Sequence, residues 1–256
     1  MSDGGGEKMK RRLTGPLLCA AVIGLGAYFL WMAGAMDRVR EPASGLAEIL
    51  PAGIDATHPV AVKGLEKVRS HAGNPFPEVV RSRALMTLED DPFNAESVAE
   101  QQWLDRHGFP NASQWDAYRP ASDGLLQQAS DAGDPVAGTM LDARRLPDKQ
   151  ALDSLLLSAV DGNNFALQLL AAHYAERNSP VNAYAVSRVS EIRGDLPAGL
   201  AREFLFRRAL TQEERVAGES EALQLNASLN RLYREKHGVP FTPDVRPITI
   251  NGVNNE

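Results

Sequence analysis

Few side chains in this sequence stand where they could do chemistry. Trp103 and Trp115 lie on either side of His107-Gly108. An aromatic pair there could line a groove for a glycan or a peptide, or fill the seam between two short helices. Five histidines are present, His58, His71, His107, His173 and His237. No two of them have metal-ligand spacing on one helix, and no cysteine stands near them. His173, beside Tyr174 in a helical stretch, reads as a packed residue. Glu89-Asp90-Asp91 precedes Pro92. A carboxylate run suits a metal or acid–base work, but Asp-Pro is also ordinary helix-capping chemistry, and a solvated helix start is expected. Arg207-Arg208 could hold an acidic peptide end, and a solvated helix face explains it more simply. There is no Gly-x-Ser-x-Gly elbow, P-loop or dinucleotide fingerprint. The expectation is a noncatalytic protein with no cofactor and no metal.

Composition narrows the class further. The chain has 256 residues, a formal charge of −6 and one cysteine, Cys19. Cys19 falls inside an uncharged stretch, Leu13 to Met36, which follows Lys8, Lys10, Arg11 and Arg12. Leu17 to Met36 alone is 20 residues, long enough to cross a hydrocarbon core of about 30 Å. Three readings compete for it: an uncleaved signal anchor, a signal peptide cleaved after Ala35 in Ala33-Gly34-Ala35, and a lipoprotein signal at Cys19. The stretch is longer than the roughly 7–15 apolar residues of a secretory signal, which favours the anchor. Leu18 precedes Cys19 where a lipoprotein signal wants a small residue. Tyr28 and Trp31 lie toward its outer end, as interfacial aromatics do.

A basic N-terminus stays in the cytoplasm, so the bulk of the chain is expected on the far side. That part holds no cysteine, so it needs an ordinary core and not a disulfide frame. Removing the four basic and two acidic residues of the tail leaves 23 basic and 31 acidic residues. An acidic ectodomain argues against nucleic acid as a partner. The expected location is a bacterial inner membrane, single-pass, with the bulk periplasmic. Asn111-Ala112-Ser113 and Asn226-Ala227-Ser228 fit the glycosylation pattern, which matters only in a eukaryotic secretory pathway.

The elements that must position these residues are helices. The expected organisation is a cytoplasmic tail (1–12), a transmembrane helix (13–36), a linker with short helices (37–92), a helical-repeat domain (93–237) and an extended tail (238–256). Pro77 to Leu88 is expected to be helical. Ser97 with Glu100, Asn111 with Gln114, and Thr211 with Glu214 have the spacing of capping boxes. Asp134-Pro135 and Ser179-Pro180 join a helix start to a first-turn proline. The helix opened by Thr211 runs about 25 residues to Lys236, where Gly238 and Pro240 stop it. No run of alternating apolar and polar residues interrupts 97 to 237.

One short pattern recurs. Gly133-Asp134 is followed by Ala137, Gly162-Asn163 by Ala166, and Gly194-Asp195 by Ala198. The glycines are 29 and then 32 residues apart, and Ala151 and Ala183 stand 11 residues before the second and third. Glycine supplies a left-handed helix end, Asp or Asn caps the next helix, and alanine lets paired helices approach. A period near 30 built of two helices predicts stacked helical hairpins. Asp148 to Ala175 is the clearest unit. Ala151, Ala159, Gly162, Asn163, Ala166, Leu170 and Tyr174 there fall at the spacing of the SEL-like subclass of tetratricopeptide repeats, which this stretch resembles. Ala171 stands where that family usually has glycine, and Ser154 where it often has tryptophan. The resemblance covers residues 125 to 200 and implies an all-α chain: one transmembrane helix followed by an α-solenoid. It also implies a scaffold for a protein partner in the cell envelope. The second expectation is a noncatalytic recognition subunit for cell-wall glycan or peptide. For topology, a reporter active only outside the cytoplasm, fused after Glu256, should be active in the membrane fraction. A cytoplasmic signal would reverse the orientation, and a soluble shortened product would place a cleavage site at Ala35.

Overall fold

The computed structural model describes residues 73–248. The tail 1–12, the apolar span 13–36 and the linker up to residue 72 lie outside the described residues. No helix among the described residues is long and apolar enough to cross a membrane.

The described chain is all-α, with nine α-helices and no strand among the described residues. They are α1 (Val98–Arg106), α2 (Ala112–Tyr118), α3 (Asp123–Asp131), α4 (Pro135–Arg145), α5 (Lys149–Val160), α6 (Asn164–Glu176), α7 (Pro180–Ile192), α8 (Leu196–Ala201) and α9 (Gln212–His237). From α3 to α8 each helix packs on the next, and α4 also meets α6. The long α9 lies along α7 and touches α5.

One turn recurs because one backbone solution satisfies the helix ends. Gly133, Gly162 and Gly194 have φ of 95°, 92° and 113°. The next residue, Asp134, Asn163 or Asp195, donates its N–H to the carbonyl five back, Ala129, Ser158 or Ser190, at 3.0–3.1 Å. Each glycine N–H donates three back. This pair of bonds satisfies two carbonyls that the helix end leaves free. Gly108 and Asn178, at φ 78° and 55°, build the same turn through Phe109 N–H to Leu104 O and Ser179 N–H to Tyr174 O. The turns enclose three hairpins, α3–α4, α5–α6 and α7–α8. Ala137, Ala151, Ala166, Ala183, Ala198, Leu170 and Tyr174 are all buried in or against them.

Helix α6 is the centre. Ten of its 13 residues are buried, as expected of a helix apolar on all sides. Helix α9 shows the opposite pattern, polar with one narrow seam of Gly218, Ala222, Leu225 and Leu229. Its 4-3-4 spacing is that of a helix-on-helix contact. Gly218 sits under Tyr184, where a Cβ would lie 2.5 Å from Cδ1. Thr211 and Glu214 form the complete capping box, and Gly238 closes α9 at φ 73°. Asn111 and Gln114 form another. With its side chain fully buried in that cap and bonded to Val80 O, Asn111 offers no glycosylation acceptor in the fold.

Two local expectations change. Pro77 to Leu88 is not a helix, and only a 3-10 turn at Arg83–Leu85 forms. Side chains from elsewhere take its backbone groups: Ser113 Oγ accepts from Val80 N–H, and Asp105 accepts from Arg83 N–H. At α1, Ser97 caps Glu100 N–H, but Glu100 does not return to the Ser97 N–H. It accepts from Glu96 N–H and from Arg246 instead.

His173 on α6 is buried, and burial, aided by the Arg177 charge, lowers its pKa to about 4. It is neutral in the fold, while the unfolded chain takes up a proton below an ordinary value near 6.5. Its contribution is therefore complete above that value and declines as pH falls toward 4. The His173→Leu protein should lose less stability than the wild type between pH 7 and pH 5, by on the order of 1–2 kcal/mol. Denaturant titrations at the two pH values read the difference, and equal losses would mean that His173 carries none of it.

Candidate functional site

The densest set of buried polar groups lies where α1, the turn at Gly194 and the segment 239–248 meet. That segment has no regular secondary structure, yet it is held along its length. Trp103 Nε1–H donates to Asp244 O at 2.7 Å, and Arg246 N–H donates to Gly194 O at 2.9 Å. The Arg246 guanidinium enters the interior, where Nε meets Glu100 Oε1 at 2.7 Å and Nη1 meets Asp195 Oδ1 at 3.3 Å. It also lies 5.6 Å from the centre of the Trp103 ring. Asp195 is fixed from behind by Gln168 Nε2, 3.0 Å from Oδ2. Arg106 grips the Asp244 carboxylate with two nitrogens at 3.0 and 3.2 Å. Further back, Phe241 covers the Arg193 guanidinium at 3.6 Å and meets Tyr233 edge-on.

The electrostatics follow from burial. Asp195 has no exposed surface. Desolvation raises its pKa, and the Arg246 charge and the Gln168 and Arg246 hydrogen bonds oppose the rise. His107 is stacked on Trp103 at 3.9 Å, and desolvation lowers its pKa. Its Nδ1 donates to Trp103 O at 2.8 Å, since a carbonyl only accepts. Arg193, also buried, gives its Nη2 to Ala159 O and Val160 O, and desolvation lowers its pKa to about 10. Every carboxylate here is matched to a cation, an amide or a hydroxyl. The arrangement recognises charge and main chain, and it sets no nucleophile beside a base. Among the described residues no group of three His, Cys, Asp or Glu is placed to hold a metal ion.

The recurring residues separate here. Asp134 accepts from Val136 N–H and Ala137 N–H, and Asn163 accepts from Ala166 N–H, so both cap. Asp195 makes no capping bond; its carboxylate turns inward to Arg246. The expected cap is therefore a charge receptor, and α8 begins without one. Gly194 differs from its counterparts too. A Cβ on Gly133 would meet nothing within 4 Å, and one on Gly162 would sit 4.0 Å from Phe241. On Gly194 it would lie 2.2 Å from Asp244 O.

The tryptophan pair does not form. Trp103 has no exposed surface, and Phe109 and Phe93 stand between it and Trp115 in a chain of ring contacts. Trp115 borders an open depression of about 540 Å³ with Asp90, Pro92 and Asp116. The carboxylate run is no helix start. Asp91 is buried against Arg83 Nε at 2.6 Å, and Asp90 accepts from Thr87 Oγ1. Arg208 pairs with Glu214 at the start of α9.

Sequence reasoning missed Arg246, Asp244 and Arg83. The signal for the first two was a proline-spaced tail, Pro240, Pro243 and Pro247, carrying one acid and one arginine. Comparison of the chain with protein-family models, with curated proteins and with solved structures finds no match.

Gly162→Ala and Gly194→Ala impose the same left-handed strain, each on the order of 1–3 kcal/mol. Only the second collides with segment 239–248. Limited proteolysis should therefore cut that segment faster in Gly194→Ala than in Gly162→Ala at equal distance below each Tm. Equal cutting would mean that the close approach at Gly194 does not hold the segment.

Proposed function

We propose that this chain is a membrane-anchored scaffold whose helical hairpins, on the periplasmic side, bind a protein partner in an envelope assembly. The observation that carries the reading is the recurrence of one turn, with one hydrogen-bond pattern and a left-handed glycine, at Gly133, Gly162 and Gly194. Hairpins joined in this way and packed each on the next support the resemblance to SEL-like repeats, and stacked hairpins expose extended surfaces suited to proteins. The anchor rests on the length of the apolar span and its basic flank. Tethering raises the local concentration of partners at the membrane. The engaged state of the buried charges supports a noncatalytic role, because none is poised toward an open cleft.

Complementation of a loss-of-function strain tests this at matched expression. Deleting residues 125 to 237 with the anchor kept should abolish function, and releasing residues 37 to 256 from the membrane should weaken it. Glu89→Ala, Asp90→Ala and His173→Ala should complement. If a single one of these changes eliminates function in a folded protein, the scaffold reading gives way to an enzyme. Crosslinking in intact cells should capture a specific envelope protein with the wild type and not with the deletion.

A further inference from the structure

Segment 239–248 is bound to the helices in the way a peptide ligand is bound to a receptor. Main-chain groups supply part of the contact, through Trp103 Nε1–H to Asp244 O and Arg246 N–H to Gly194 O. Side chains supply the rest from separate subsites. Phe241 lies on Arg193 and against Tyr233. Asp244 takes Arg106. Arg246 enters a buried socket formed by Glu100, Asp195 and Trp103. Grooves that read extended peptides combine main-chain bonds with spaced side-chain pockets in this manner.

Both sides are prepared for the contact. On the receptor side, Gln168 holds the Asp195 carboxylate and Glu96 N–H holds that of Glu100. Gly194 leaves room for a passing backbone that any Cβ would block. On the ligand side, Pro240, Pro243 and Pro247 restrict the free segment and lower the entropy lost on docking. The link between the two is slight: α9 ends at Gly238, whose Cβ position is open, and Val239 beyond it is exposed.

We propose that this groove is a docking site for an extended, proline-flanked peptide bearing an aromatic residue, an acid three positions later and an arginine two further on. The chain's own tail is its resident occupant, and a matching segment of a partner protein replaces it. This names the partner chemistry within the scaffold reading and rests on that reading for the existence of a partner. The groove itself rests on the contacts above. A covalently joined tail acts at an effective concentration on the order of millimolar. A partner segment therefore wins only when it is concentrated at the membrane or adds contacts of its own.

The test uses the full-length chain in detergent and a fluorescent peptide with the sequence of residues 239–250. Arg246→Ala weakens the resident tail without touching the groove. That protein should bind the peptide at least tenfold more tightly than the wild type does. A peptide with alanine at the arginine position should lose at least tenfold on the same protein. In a second protein, a specific protease site placed between Gly238 and Val239 is cut after folding, and the labelled peptide should exchange for the released tail. If Arg246→Ala does not fold by circular dichroism, the cut protein decides alone. The proposal is overturned if the folded proteins take up no peptide, or take up the alanine peptide equally well. A partner captured in cells that the peptide does not displace would sink the groove and leave the scaffold standing. Peptide binding with no captured partner would do the reverse.

Discussion

Two carboxylates, Glu100 on α1 and Asp195 at the third hairpin turn, are buried within reach of one cation that neither element supplies. Arg246 provides it from the far end of the described chain. A buried charge without its partner costs several kcal/mol, and breaking such a pair costs about 3–5 kcal/mol. The first helix, the last hairpin and the tail are therefore mutually dependent, although 146 and 51 residues of sequence separate the partners. The other flank of α1 is held in a similar way. Arg83 is fully buried and gives its guanidinium to Asp91, Asp105, Phe109 O and Pro110 O. Helix α1 thus lies between two internal arginines, and its position is fixed by charge as well as by apolar packing.

The arginines differ in what their removal would expose. Arg83 answers two backbone carbonyls and two acids within one stretch, 83–110. Its network stays within the segment before the hairpins. Arg193 is likewise internal, serving Ala159 O and Val160 O at the end of α5 under the ring of Phe241. Arg246 alone joins segments that lie on opposite sides of the hairpins in sequence. It is also the only one of the three carried on a strand of chain without helical bonds of its own.

Much of the helical order was legible in the sequence, because capping and helix stops are local chemistry. Thr211 and Glu214, Asn111 and Gln114, and Ser179-Pro180 lie within a few residues of the bonds they make. So do the glycines, since a left-handed turn needs no distant partner. What stayed hidden depends on residues far apart. Asp195 has the same spacing as Asp134 and Asn163, and only an arginine 51 residues later turns it from a cap into a receptor. Glu100 left its box for the same reason. Trp103 looked available as a binding ring, and the tail covers it. The helical expectation for Pro77 to Leu88 failed because Asp105, Ser113 and Asn111 take its main-chain groups.

Helix α8 has six residues and runs directly into a 3-10 turn at Arg202–Leu205, whereas its counterparts α4 and α6 have 11 and 13. A fourth hairpin would need a full-length partner at this place to lean on. The chain instead turns back and lays the 26-residue α9 along α7. The count of hairpins is thereby set from within. The far end of the stack is closed by the protein's own helix, so a second copy finds no vacant step there on which to continue the stair into a fibre.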